Sequence, residues 1–292
     1  MVALLLLFCV AELSLRMYGF CDAVLMREDS SYEYIAVPQD RHRFGKHIFY
    51  NSLSQRNSEI EKPDSNIVCA FGDSFINGGS PTDQDSLATT KLAAYLTSKY
   101  KKKIEVLNIS AGSWGPDNCY AYLTKHGDFK SKNFILFVSS HDAYDGMDFN
   151  NVVGSNPQFP VKQYNLAIVE LFDRYLIPRL FEYFGHSTDL NEINKKTPVS
   201  VFNTGFINFY NYCIKRNITF TIYIHADRVE AVQRHYNEQG QMIIDFCKEK
   251  KITLLKELAY NFPLSLYRDG IHFNEQGQVK CFEAIKDSIQ LQ

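Results

Sequence analysis

From about residue 67 the chain alternates short, unbroken apolar runs with longer stretches whose apolar residues recur at helical spacing. A strand covered on both faces loses its in-out alternation and reads as continuous apolar sequence, so the runs predict strands at 66–71, 105–109, 134–139, 219–225 and 252–255. The stretches between them predict helices at 87–99, 118–127, 201–216, 229–250 and 275–289. Turn residues or a charged helix end bound each strand. Strict strand–helix alternation predicts the α/β class: a three-layer α/β/α, flavodoxin-like fold with a five-stranded parallel sheet.

The rhythm fails in two places. Residues 12–65 are polar, aromatic and irregular, which predicts an N-terminal extension wrapping the sheet edge, with an apolar segment at 1–11 before it. Residues 143–200 open as a loop rich in Asn, Asp, Gly and Pro, pass through a helix around 166–184 and end in a polar run at 186–196. An insertion of this length inside the 66–292 domain is usually functional or mobile. Following the third strand, it should lie at the carboxyl edge of the sheet, where open α/β folds bind ligands.

With 292 residues, 45% of them hydrophobic, the chain can bury a sizeable core, and disorder is excluded as the default. The 31 basic and 33 acidic groups nearly balance, and the only lysine clusters, at 101–103 and 248–251, read as solvated helix ends. No basic stripe suggests a nucleic-acid partner. Seven cysteines lie scattered without a C-x-x-C pair, several of them inside apolar runs, so neither a disulfide framework nor a zinc site is expected. No metal-ligand spacing or phosphate-cradling glycine motif occurs, and no cofactor is expected. The apolar run at 2–11 is shorter than the roughly 20 residues that span a bilayer. It reads as the tail of a membrane anchor, a weak signal peptide or a plain apolar helix.

Two segments carry candidate chemistry. The first is Val68-Cys69-Ala70-Phe71-Gly72-Asp73-Ser74-Phe75, a buried strand that stops at Gly-Asp-Ser. A serine at that edge can meet an incoming carbonyl, with backbone N–H groups facing the oxygen. The same residue reads equally well as an ordinary helix N-cap. The second is Arg268-Asp269-Gly270-Ile271-His272-Phe273. A serine hydroxyl needs a base to take its proton, and a neutral imidazole needs a carboxylate to fix its tautomer. Asp269, three residues before His272, can serve in that way from one turn. His235 offers a control, since residues 235–241 read HYNEQGQ and 272–278 read HFNEQGQ. Val232 stands where Asp269 does in the second copy, so His272 is the better base, and the shared Asn-Glu-Gln-Gly reads as a helix start.

Together these blocks resemble the SGNH/GDSL hydrolase superfamily over roughly residues 66–290. The resemblance implies Ser74 as nucleophile, His272 as general base and then acid, and Asp269 as its orienter. No G-x-S-x-G elbow occurs, which speaks against an α/β-hydrolase. The resemblance places oxyanion-hole donors at Ser74, at Ser113 (flanked by Gly112 and Gly115, where the family has a Gly) and at His141, where the family has an Asn. The 12–56 segment, with Glu12-Leu13-Ser14-Leu15-Arg16 and Asn51-Ser52-Leu53-Ser54-Gln55-Arg56, resembles the leader of membrane-anchored bacterial SGNH proteins associated with surface polysaccharides. That implies an extracytoplasmic, membrane-anchored or periplasmic location; without it the chain would be cytoplasmic.

The expectation that follows is a serine-dependent ester hydrolase or O-acyl (acetyl) transferase acting on O-acylated carbohydrate. Trp114 and Tyr144, with Phe149, Phe159 and Tyr164, would supply an aromatic platform for a sugar ring, unless they simply pack the loop onto the domain. Two other readings compete: a degenerate domain that binds glycan without turnover, and a lipid esterase or thioesterase with an apolar acyl channel.

Overall fold

The computed structural model describes residues 1–61, 63, 66–183 and 201–290. In chain order its elements are α1 (Val2–Tyr18), β1 (Met26–Asp29), β2 (Glu33–Ala36), β3 (Gln39–Arg43), β4 (Lys46–Tyr50), β5 (Ile67–Gly72), α2 (Ser74–Asn77), α3 (Ala88–Tyr100), β6 (Glu105–Ser110), α4 (Pro116–His126) and β7 (Asn133–Ser139). After β7 come α5 (Ala167–Leu171), α6 (Ile177–Tyr183), α7 (Thr204–Arg216), β8 (Thr219–His225), α8 (Arg228–Gln233), α9 (Glu238–Lys250), β9 (Thr253–Lys256) and α10 (Glu275–Ile285).

Strands β5 to β9 form one parallel sheet in the order β6-β5-β7-β8-β9, the doubly wound arrangement expected from the sequence. Successive side chains of a strand point to opposite faces, and the core divides accordingly. Cys69, Phe71, Leu107, Leu136 and Ile222 pack with Tyr122 of α4, Phe209 of α7 and Ile243 of α9. Val68, Ala70, Val106, Ile135 and Tyr223 pack with Phe75 of α2, Leu92 of α3 and Cys281 of α10. Helices therefore cover both faces. The strand order reverses around β5, so the crevice of an open α/β sheet falls at the carboxyl end of β5, where Ser74 stands.

Three elements differ from expectation. The N-terminal extension is not irregular: β1 pairs with β2 and β3 with β4, each as an antiparallel hairpin. β3 consists entirely of polar residues, so no apolar run announced it. The expected helix at 229–250 is two helices, interrupted at Arg234, which adopts a left-handed conformation with φ 55°. The helix expected around 166–184 is α5 and α6 joined by a π-helical turn, Phe172–Leu176. The polar run at 186–196 lies outside the described residues.

The extension is bound to the sheet by its last residues. Arg56 N–H donates to Asn108 O at 3.0 Å, and Asn57 Oδ1 accepts from Asn108 N–H at 2.9 Å, which satisfies part of edge strand β6. Arg56 is fully buried, and its guanidinium donates to Asn77 O (2.6 Å), Gly79 O (2.5 Å) and Thr82 O (2.6 Å). The extension thus fixes the loop that follows Ser74. At the other end α1 buries none of its residues. Among the described residues no helix is long and apolar enough to cross a membrane.

Candidate active site

Ser74 owes its position to its two predecessors. A Cβ on Gly72 would stand 2.8 Å from Ile76 Cγ2 and 3.1 Å from Phe137 Cβ, so a larger residue would obstruct the turn of α2 back against the strand. Asp73 then caps the turn, its carboxylate accepting from Phe75 N–H at 2.9 Å. Gly78, at φ 76°, closes it by donating its N–H to Ser74 O. Asn77 Nδ2 donates to Ser110 O at 3.1 Å, while Tyr50 O–H donates to Asn77 Oδ1 at 3.0 Å. The Ser74 turn is therefore held from β6 and from β4 together.

The D-x-x-H segment is an equally tight loop. Tyr267 and Phe273 form an antiparallel bridge, and Arg268 N–H donates to His272 O at 2.8 Å. Asp269 Oδ1 accepts from Ile271 N–H at 3.0 Å and from His272 N–H at 2.7 Å. Immediately after it, Asn274 caps α10 by accepting from Gly277 N–H, and Asn237 does the same for α9, so both Asn-Glu-Gln-Gly copies are helix starts. The last Gln of the two copies differs in use: Gln241 donates to exposed Asp245, whereas Gln278 is fully buried and donates to Phe75 O at 2.8 Å. That bond joins the His272 block to the Ser74 turn.

The structure brings the three residues together. His272 Nε2 lies 2.8 Å from Ser74 Oγ, and His272 Nδ1 lies 2.9 Å from Asp269 Oδ2. A carboxylate only accepts, so Nδ1 carries the proton and Nε2 presents its lone pair to the hydroxyl. Burial would raise the Asp269 pKa, but the His272 and Ile271 N–H groups and the imidazole outweigh it and hold the acid at about 2, below its ordinary 3.8. A folded pKa below the unfolded one gives stability that is present above the ordinary value and lost as pH falls through the folded one. We therefore expect Asp269→Asn to flatten the loss of melting temperature between about pH 4 and pH 2. Circular dichroism melts of both proteins across that range check it, and parallel curves would contradict it.

All three residues line a cleft of about 700 Å³. Arg43, Lys46, Arg174 and Arg268 line it too, as do the rings of Phe44, Tyr50, Phe159 and Tyr175. Arg43 and Arg174 both reach the buried Glu170, at 2.5 and 3.3 Å. A smaller recess of about 330 Å³, between α8 and the 257–267 segment, holds none of the three.

The other expected residues fall elsewhere. Gly112 lines the cleft; Ser113 does not, and has turned to φ 57°. Gly115 caps α4. His141 keeps an accessible edge and does not line the cleft, but its donor atoms lie within 4.8 Å of the Asp73 and Asp142 carboxylates. Crowding by protein opposes charge on His141, yet Asp142, Asp73 and Asp145 outweigh it and raise its pKa. Asp142 is itself driven up to about 8, first by burial, and its Oδ1 has no hydrogen-bond partner among the described residues. Trp114 is not a sugar platform: it is 1% exposed, stacks edge-on against Tyr32 and donates Nε1–H to Tyr34 O at 3.0 Å. Tyr144 packs on the core with its hydroxyl at Met242 Sδ, and Tyr164 bonds Asp173. Of the aromatic residues expected to form the platform, Phe159 lines the cleft.

Fold and site together define a doubly wound α/β protein with a Ser–His–Asp hydrogen-bond chain at the switch point of its sheet. No protein-family model and no curated protein matches the chain. Among solved structures it is similar to a protein of the G-D-S-L family from Desulfitobacterium hafniense DCB-2, with 18% identity and a TM-score of 0.43 over 77% of this chain and 99% of that one. It is also similar to the lipase/acylhydrolase from Enterococcus faecalis (10% identity, TM-score 0.43, 77% and 98% covered). A third is a two-domain esterase active on acetylated mannans (8% identity, TM-score 0.44, 77% and 48% covered).

Proposed function

We propose that this chain is an SGNH-type serine esterase or O-acyl transferase acting on O-acylated carbohydrate. The observation that carries the reading is the hydrogen-bond chain from Ser74 Oγ through His272 to Asp269, at the wall of an open cleft. Ser74 Oγ attacks the ester carbonyl while its proton passes to His272 Nε2. Asp269 holds the imidazole in the right tautomer and stabilises the imidazolium. The tetrahedral oxyanion takes the N–H groups of Ser74 and Gly112, both at the cleft wall. Collapse breaks the ester C–O bond, and His272 returns the proton to the leaving alcohol. Water or a sugar hydroxyl then resolves the acyl-enzyme.

Carbohydrate is favoured over lipid because the cleft sets polar and charged groups beside the half-buried rings of Phe44 and Tyr175, a mixture suited to stacking and hydrogen-bonding a sugar. An intact triad favours turnover over binding alone. The test is acetate release from a panel of acetylated polysaccharides beside lipid esters and thioesters, wild type against Ser74→Ala. Cleavage confined to lipid esters would refute the carbohydrate assignment.

We also place α1 at a lipid surface. Residues 2–11 are apolar on every side of the helix, with Leu4, Leu5, Leu6 and Leu7 each exposed by more than 60%, whereas a protein groove covers one face. Flotation with lipid vesicles should carry the wild type upward and leave Leu5→Asp behind. Wild type remaining at the bottom would remove the assignment.

A further inference from the structure

Directly behind the cleft lies a second histidine–carboxylate pair that contacts both halves of the site. His225, the last residue of β8, is fully buried. Its Nδ1 lies 2.6 Å from Glu257 Oε2 and its Nε2 lies 2.6 Å from the carbonyl of Ile271. Ile271 is the residue before His272. A carbonyl only accepts, so Nε2 carries a proton, and with Glu257 as the carboxylate acceptor Nδ1 carries the other. Glu257 is buried as well; Tyr223 O–H donates to its Oε2 at 2.9 Å, and Tyr267 O–H divides its single proton between Glu257 Oε1 at 2.7 Å and Ala226 O at 2.8 Å.

The ring itself is a spacer. Phe75, the residue after Ser74, stacks on it with centroids 4.0 Å apart and planes 12° apart. Phe273, the residue after His272, meets it edge-on at 4.9 Å. One imidazolium thus touches the neighbour of Ser74 and both neighbours of His272, and its charge is favoured by the face of Phe75 stacked on it.

We infer that His225, held as a buried imidazolium by Glu257, is a positioning residue that sets the Ser74–His272 hydrogen bond by fixing the backbone on either side of both groups. The inference rests on the serine-esterase reading above and adds to it a pH dependence. Burial lowers the His225 pKa, but Glu257, the Ile271 carbonyl and Asp73 together raise it above its ordinary value. The groups facing it are Glu257 after β9, Asp73 after β5, His141 after β7, Tyr223 of its own strand and Tyr267 ahead of the D-x-x-H loop. His141 opposes the charge. A raised folded pKa means that the clamp is complete at low pH and lost as pH rises through that value.

The experiment uses Glu257→Gln, which keeps the shape and removes the counter-charge, and His225→Phe, which keeps the stack and removes both donors. Displacing reacting groups by about 1 Å costs on the order of a hundredfold, so kcat of Glu257→Gln at pH 8 should fall about tenfold to a hundredfold relative to wild type, with KM unchanged. That deficit should shrink at pH 6, where the imidazole regains its proton, and should persist at both pH values in His225→Phe. A deficit independent of pH in Glu257→Gln, or none, overturns the inference. Nitrogen-15 NMR of the wild-type histidines gives a reading independent of turnover: both His225 ring nitrogens should carry protons at pH 7.5. A neutral His225 overturns the inference even if the enzyme is active, and a protonated one upholds the clamp even if the esterase reading fails.

Discussion

Ser74→Ala should abolish ester cleavage, by about a millionfold in kcat, because among the described residues the hydroxyl that His272 Nε2 addresses at 2.8 Å is that of Ser74. The fold should survive the change. Ser74 is only partly buried, and the turn that carries it is held by Asp73, Asn77 and Gly78 and not by its own side chain. A fluorophosphonate gives the companion measurement: the wild type should gain one adduct, mapped by mass spectrometry to the peptide containing Ser74, and the variant none. Folded wild type that stays unlabelled and releases no acid from any ester would dispose of the assignment.

The second large effect belongs to Asp269→Asn, for which kcat should fall by about 10⁴ while the protein stays folded near neutral pH, with a melting temperature lowered only by what the carboxylate contributes there. An amide nitrogen set toward Nδ1 donates where the carboxylate accepted, which favours the tautomer whose proton sits on Nε2. The lone pair that Ser74 needs is then gone. Since Asp269 is 45% exposed on its side chain, solvent screening keeps its contribution to stability modest, and the larger loss should appear in turnover. Equal kcat for variant and wild type would remove Asp269 from the mechanism.

Much of this was legible in the sequence, for identifiable reasons. The five strands are buried on both faces, so their apolar runs are continuous, and the strand at 219–225 was placed to the residue. Ser74 and His272 are 198 positions apart, yet each sits where a strand or a loop meets a helix start, and the parallel order sends those junctions to one edge. The hairpins of the extension were hidden because their stability comes from pairing and from contact with the domain, which leave no periodic trace in segments as short as β3. The break at Arg234 was hidden because neither glycine nor proline marks it. Trp114 was misread because a loop pattern does not say which way a ring turns. His225 and Glu257 left no trace either, being single residues 32 positions apart whose partnership exists only once β8 and β9 lie side by side.

Arg56 has a consequence for how the protein can be shortened. A chain cut back to its sheet, starting near residue 66, would keep Ser74, Asp269 and His272 and still lose its grip on the substrate pocket. Three carbonyl oxygens at 77, 79 and 82 would be stranded without their shared cation, and the outer lane of the sheet would stand bare at Asn108. The smallest working version of this molecule therefore includes the stretch before the sheet, which acts as a wedge driven under the floor of the pocket.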